Sequence, residues 1–213
     1  METGLRDAGR QTFGKVFVRN ASMADAPFIA RVVLAGIDML DMGEEMPEGQ
    51  RPIFDHLVDI CKMDDTLYSY CHTSIAEVDG KVVGALVAYD GAPYAEMRAK
   101  TFGLVQQTSG MDLSKNAMET GPGEFYLDSM AILPEHRGLG IGQMLMRNRM
   151  TYALANGFEA IALLVDKDKP RLQTYYEELG FVFKEEVFVF GAWYRKLVYL
   201  NKLCDEARLV LAQ

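Results

Sequence analysis

Leu133-Pro-Glu-His-Arg-Gly-Leu-Gly-Ile-Gly-Gln143 is the stretch that decides how this chain is read. Glu124 to Ile132, apolar and β-prone, forms a strand running into it. The spacing of Ile141, Leu145, Met146, Met150 and Leu154 predicts a helix over 138–156, ended by Gly157. Glycine weakens a helix by roughly 0.8 to 1.0 kcal/mol relative to alanine. Gly138, Gly140 and Gly142 in a first turn therefore imply that something approaches the backbone closely. Free N–H groups and the positive end of the dipole make a helix N-terminus an anion site, and Arg137 adds charge beside it, so a pyrophosphate fits. Spacing excludes two common nucleotide loops. A dinucleotide fingerprint wants glycine where this chain has Gln143, and a P-loop wants lysine after Gly142. The loop also lies beyond residue 130 rather than after the first strand, unlike the usual dinucleotide fold.

Outward from this loop the chain alternates strand and helix signals. Residues 1–14 read as a flexible lead-in and Val16 to Arg19 as a short strand. A helix over 26–40 follows, capped by Ser22 or Asp25, with Phe28, Ile29, Val32, Val33 and Ile37 on one face. A second is expected over 52–63. Asp79-Gly80 between two apolar runs predicts a hairpin. The 34 residues from Asp90 to Gly123 form a long connection carrying a helix over 94–105, of the kind that is often functional. On the other side come a strand over 160–165, a helix over 171–179 closed by Gly180, and two strands over 181–190 and 193–200. The tail over 202–212 is read as a last short helix. One mixed α/β domain over 15–213 accommodates all of these elements.

The chain has 213 residues, 49% of them hydrophobic and 24% charged, enough to close a core without metals or disulfides. Its net charge of −8 disfavours nucleic acid as a partner. Nine acids between Asp38 and Asp65 face only Arg51 and Lys62; they are either a solvated surface or an attraction for a cationic substrate. Cys61, Cys71 and Cys204 form no metal-ligand or disulfide spacing, and the three histidines give no ligand spacing, so no metal is expected. Residues 1–7 lack a basic stretch followed by an apolar run, and nowhere do about 18 apolar residues follow one another, so the expectation is a cytoplasmic protein that does not enter the membrane.

Arg137, Gly140 and Gly142 match the R/Q-x-x-G-x-G/A signature of the GNAT superfamily of N-acetyltransferases, which the loop resembles. Tyr126 to His136 resembles that family's fourth strand, and Tyr176-Glu-Glu-Leu-Gly-Phe181 resembles its late Y-E-K-L-G-F element. The order of elements agrees too, so the likeness covers most of residues 15–200. It implies the acyl-CoA N-acyltransferase fold, with a single mostly antiparallel seven-stranded sheet flanked by helices.

The resemblance also implies acetyl-CoA as cosubstrate. The main chain of Met130, Ala131 and Ile132 would run beside its pantetheine as strands four and five splay apart. The segment Arg137, Gly138, Leu139, Gly140, Ile141, Gly142 and Gln143 would cradle its pyrophosphate. A primary amine, free or on a protein, would attack the thioester directly. The Met130 amide would hold the oxyanion, and Tyr176, with Tyr175 as fallback, would protonate the thiolate. Asp128 is the first choice of base; Glu124, or a water held near Tyr126, are the alternatives. The acidic region between the first two helices and the 90–123 connection would form the acceptor pocket, with the connection acting as a lid or a homodimer element. One departure stands out, since Lys169 occupies the place where the family often has an asparagine against the cofactor arm. The competing readings are a regulatory module that binds acyl-CoA without turnover, and a nucleotide-binding protein with an unusual glycine loop.

Overall fold

Asp79 and Gly80 both take positive φ (49° and 76°), the twist that joins two antiparallel strands in a two-residue turn. The hairpin β2 (Thr73–Val78) and β3 (Lys81–Asp90) is built on it. In this computed structural model, which describes residues 15–201, the sheet grows outward from that hairpin. The lead-in over 1–14, the tail helix over 202–212 and Cys204 lie outside the described residues. β1 (Val16–Asn20) pairs with β2, and β4 (Glu124–Ile132) with β3. β5 (Ala160–Asp166) joins β4 in parallel. The closing hairpin of β6 (Val182–Val189) and β7 (Ala192–Leu200) adds through β7, giving seven strands in the order β1-β2-β3-β4-β5-β7-β6.

Five α-helices among the described residues cover the two faces. On one lie α1 (Ala26–Gly36), α2 (Arg51–Cys61) and α3 (Tyr94–Ser109), packed on Val87, Tyr89, Tyr126 and Ala162. On the other, α4 (Ile141–Ala155) and α5 (Pro170–Glu178) pack on Leu86, Ala88, Phe125, Leu127 and Leu163. These two apolar faces explain why β3, β4 and β5 read as nearly continuous hydrophobic runs.

Three helix boundaries differ from the periodicity reading, each for a backbone reason. α1 stops at Gly36 rather than near residue 40, because the chain turns through Asp38 at φ 56°. α3 runs past residue 105 to Ser109 and ends at a left-handed Gly110, so helix fills almost half of the long connection. α4 starts at Ile141 rather than at 138. Gly138 and Gly140 precede it at φ 76° and 77°, a conformation that side chains make costly, so only Gly142 lies in the first turn.

Candidate active site

β4 and β5 pair in parallel from Glu124↔Ala160 to Leu127↔Leu163 and then part, although β4 continues to Ile132 and β5 to Asp166. The register of β4 against β3 shifts at the same point. Val87 faces Ser129 and Ala88 faces Leu127, leaving Asp128 as the extra residue of a β-bulge. Past the bulge, Leu133 donates its N–H to the Val83 carbonyl. Strand alternation then turns Ala131 toward β3, and directs the amides of Met130 and Ile132 toward the side β5 has left. A cleft of about 110 Å³ opens there, lined by Asp128, Ser129, Met130, Leu164, Leu172 and Tyr176.

The glycine loop lies at the end of the same strand. A Cβ added to Gly138 or Gly140 would meet nothing within 4 Å, so helix–sheet packing is not what requires glycine there; the left-handed backbone is. The first α4 amide with a helical acceptor is that of Met144, bonding the Gly140 carbonyl at 3.1 Å, and no side chain caps the helix. The amides of Ile141, Gly142 and Gln143 thus precede the first helical hydrogen bond and are available to an anion. Arg137 is exposed, with its guanidinium on the Ile132 carbonyl (3.1 Å) and on Asp41 (2.9 Å). Lys169 is held by Asp38 at 2.7 Å, ahead of α5.

Asp128 accepts from the Tyr89 hydroxyl (2.5 Å) and from Ser129 Oγ (2.6 Å). Burial raises its pKa above the usual carboxylate range, against the pull of those two hydrogen bonds. A second cavity, sharing Gly36, Asp128, Ser129 and Leu164 with the cleft, also receives Tyr68, Tyr126 and Glu119. Glu119 accepts from the hydroxyls of Tyr126 (2.8 Å) and Tyr94 (3.1 Å). Burial, reinforced by the neighbouring Asp128 charge, pushes it up to about 7. Sequence reasoning did not single out Glu119, since nothing about one glutamate in an aperiodic stretch marks it as buried.

Glu124, the alternative base, has the opposite surroundings. It is gripped by Lys196 (2.7 Å), Lys184 (2.9 Å) and Thr120 (2.9 Å), and lines neither cavity. Burial works against its charge, but the two lysines outweigh it and hold the pKa below its ordinary value. Tyr126 spends its hydroxyl on Glu119. Tyr176 lines the cleft with its ring 6.0 Å from Phe181, and burial pushes its phenol up to about 12. Tyr175 turns its hydroxyl toward Met146 Sδ instead, at 4.0 Å.

The nine acids from Asp38 to Asp65 are all exposed, and five of them pair with surface cations. The solvated reading describes them, and none of the nine lines the cleft or the cavity beside it. Among the described residues no helix is long and apolar enough to cross a membrane, and no group of three or more His, Cys, Asp or Glu residues could hold a metal ion.

Comparison with known proteins agrees with this geometry. A search of curated protein sequences finds no match. Among solved structures, a crystal structure of an acetyltransferase is 29% identical, with a TM-score of 0.67, and the match covers 86% of this chain and 98% of that one. An N-acetyltransferase from Staphylococcus aureus Mu50 has a TM-score of 0.69 at 22% identity, covering 85% and 99%. Mutant forms of the spermidine/spermine N-acetyltransferase SpeG from Vibrio cholerae share the fold at 17% identity and a TM-score of 0.54, covering 91% and 99%. The model of the acetyltransferase (GNAT) family matches residues 41–181, which includes the bulged strand, the glycine loop and Tyr176. The chain therefore belongs to the GNAT acetyltransferase family and is an acyltransferase by descent.

Proposed function

We propose that the protein transfers an acetyl group from acetyl-CoA to a primary amine by direct attack within a ternary complex. The observation that carries this reading is the parting of β4 from β5 after Leu127, which frees the Met130 amide in a cleft shared with Asp128 and Tyr176. Acetyl-CoA supplies the activated thioester. The residues present fit it, because the free edge of Met130 and Ile132, spaced by Ala131, can pair with the amides of a pantetheine arm. The amides from Gly138 through Leu139, Gly140 and Ile141 to Gln143 can take a pyrophosphate.

An alkylammonium, with a pKa of about 10.4, must lose a proton before it can attack. Asp128 accepts that proton and passes it to solvent. As the C–N bond forms, the Met130 N–H donates to the carbonyl oxygen where negative charge develops, and donors placed there typically contribute more to such catalysis than any other group. As the C–S bond breaks, Tyr176 gives its proton to sulfur, and it recovers one from the nitrogen. The nitrogen thus sheds two protons, sulfur gains one, and one leaves to solvent. With its phenol raised to about 12, Tyr176 stays protonated, and so able to donate, across the physiological range. The unpaired cysteine spacing supports a reducing, cytoplasmic setting.

Calorimetric titration with acetyl-CoA, CoA, NAD and ATP, followed by thiol release with an amine panel, tests the reading. Binding of acetyl-CoA and CoA alone, with amine-dependent thiol release, is expected. No CoA binding at millimolar concentration overturns it, and binding without release from any amine leaves a non-catalytic acyl-CoA module. Tyr176→Phe should lower kcat by roughly 10²-fold with little change in acetyl-CoA affinity; normal turnover would remove its assigned role.

A further inference from the structure

Next to the two acids lies a larger cavity, of about 420 Å³, between α1, α2, α3 and the turn from β6 to β7. Its volume is within the range of small-molecule sites. Its walls include Val33 of α1 and Ile37 just past it, Ile53 and Leu57 of α2, Val105 of α3, and Phe190. Ile37, Tyr68 and Phe190 line both this cavity and the one that receives Asp128 and Glu119, so the two spaces adjoin.

Its charges narrow what it can hold. Among the described residues no lysine or arginine lines it, so a carboxylate or phosphate on the acceptor finds no permanent cation from them; His56, in the lining, places its Nε2 2.9 Å from the Leu104 carbonyl. The one carboxylate in its lining among the described residues, Asp112, is exposed and already takes the Ser114 amide (3.0 Å) and hydroxyl (2.6 Å). A second or third ammonium, as in a polyamine, would be stripped of water against aliphatic walls. A single ammonium suits the other end. Neither Asp128 nor Glu119 is bridged to a lysine or arginine among the described ion pairs; their described side-chain hydrogen bonds come from hydroxyls, and Arg98 acts on Glu119 only through its charge.

Building on the acyl-transfer reading above, we propose that the acceptor is an apolar primary monoamine, arylalkyl or alkyl, whose body fills the 420 Å³ cavity while its nitrogen sits at Asp128 and Glu119. The α3 segment and the chain after it then act as the substrate wall, which explains the length of the 90–123 connection. The surface acids between Asp38 and Asp65 take no part in recognition.

The test compares kcat/KM for 2-phenylethylamine and hexylamine with that for spermidine and glucosamine, reading thiol release from acetyl-CoA. The apolar amines should exceed the polar ones by about tenfold or more, since each methylene in an apolar pocket is itself worth 10-fold or more in discrimination. Val105→Phe, which narrows the cavity, should cut kcat/KM for 2-phenylethylamine by about tenfold while the Kd for CoA, read by calorimetry, stays unchanged. Preference for spermidine or glucosamine, or no turnover of either apolar amine, overturns the assignment and leaves acyl transfer standing. Absence of acetyl-CoA binding overturns the transferase reading itself. If the variant fails to bind CoA, the four-amine comparison on the unaltered protein decides alone.

Discussion

The two sides of the cleft are made of different material. The side proposed for the cofactor, from Met130 to Gln143, is main chain: a strand edge without a neighbour among the described residues, two left-handed glycines and the open end of α4. The side proposed for the acceptor is side chain, contributed by α1, α2, residues 105–119 and the β6–β7 turn. A main-chain site must be contiguous, and it constrains residue type only where the backbone is unusual. A side-chain site can be gathered from anywhere, and it borrows residues that any core would use. The first is therefore hard to damage except at glycine, while the second can be retuned at many positions.

Asp128 joins the two sides, since its backbone makes the bulge and it lines the cavity beside the cleft. It offers the strongest way to break the division. Asp128→Asn keeps the shape and an acceptor for Tyr89, so CoA affinity should hold within about twofold while kcat falls by roughly 10² to 10⁴-fold. Because the Asp128 pKa is raised, the basic form appears as pH rises, and the wild-type rate should climb with pH. That limb should vanish in the variant. A variant that loses CoA binding instead would mean the bulge and the carboxyl are not separable.

Within the cofactor side, two glycines that look equivalent in sequence should behave differently. At Gly140 any side chain must adopt φ 77°, costing about 1 to 2 kcal/mol, and an aspartate adds repulsion toward a pyrophosphate. Gly140→Asp should weaken CoA binding about 10- to 100-fold in calorimetry, with amine saturation little changed. A Cβ at Gly142 would rest 3.6 Å from the Met130 methyl, ordinary contact, so Gly142→Ala should bind CoA within about threefold of wild type. Equal damage at both positions would refute the backbone account.

This contrast also explains what could be read in advance. β2 and β4 fall at their observed ends and the hairpin at Asp79-Gly80, because β-branched runs and a two-residue turn are local signals. The glycine loop was legible for the same reason, and at Gly138 and Gly140 the left-handed φ adds a backbone reason for glycine that spacing does not show. Helix ends were less legible, since Met39 and Leu40 continue the α1 spacing while Asp38 has already turned the chain. Glu119 and the large cavity were not legible at all. Alternation along β4 put Glu124, Tyr126 and Asp128 on one face, yet it carried no information on Lys184 and Lys196, some 60 and 72 residues away, which neutralise Glu124.

Glu119 and Glu124 sharpen the comparison on a smaller scale, as two buried glutamates five residues apart with opposite electrostatics. Glu124 answers to two lysines and stays ionised; Glu119 answers to two phenols beside another carboxyl. With its pKa moved from 4.5 to about 7, Glu119 favours the folded state fully below about pH 4.5 and loses that contribution as pH rises to about 7. Glu119→Gln removes the titration while leaving an oxygen for one tyrosine. In urea denaturation the variant should gain on wild type between pH 5 and pH 8 by on the order of 1 to 2 kcal/mol, less than the full shift because Asp128 titrates with it. A difference that stays constant with pH would mean that Glu119 is ionised throughout, as Glu124 is. The two sides of the cleft would then share one electrostatic design, and the acceptor side would lose the proton-poised carboxyl that sets it apart.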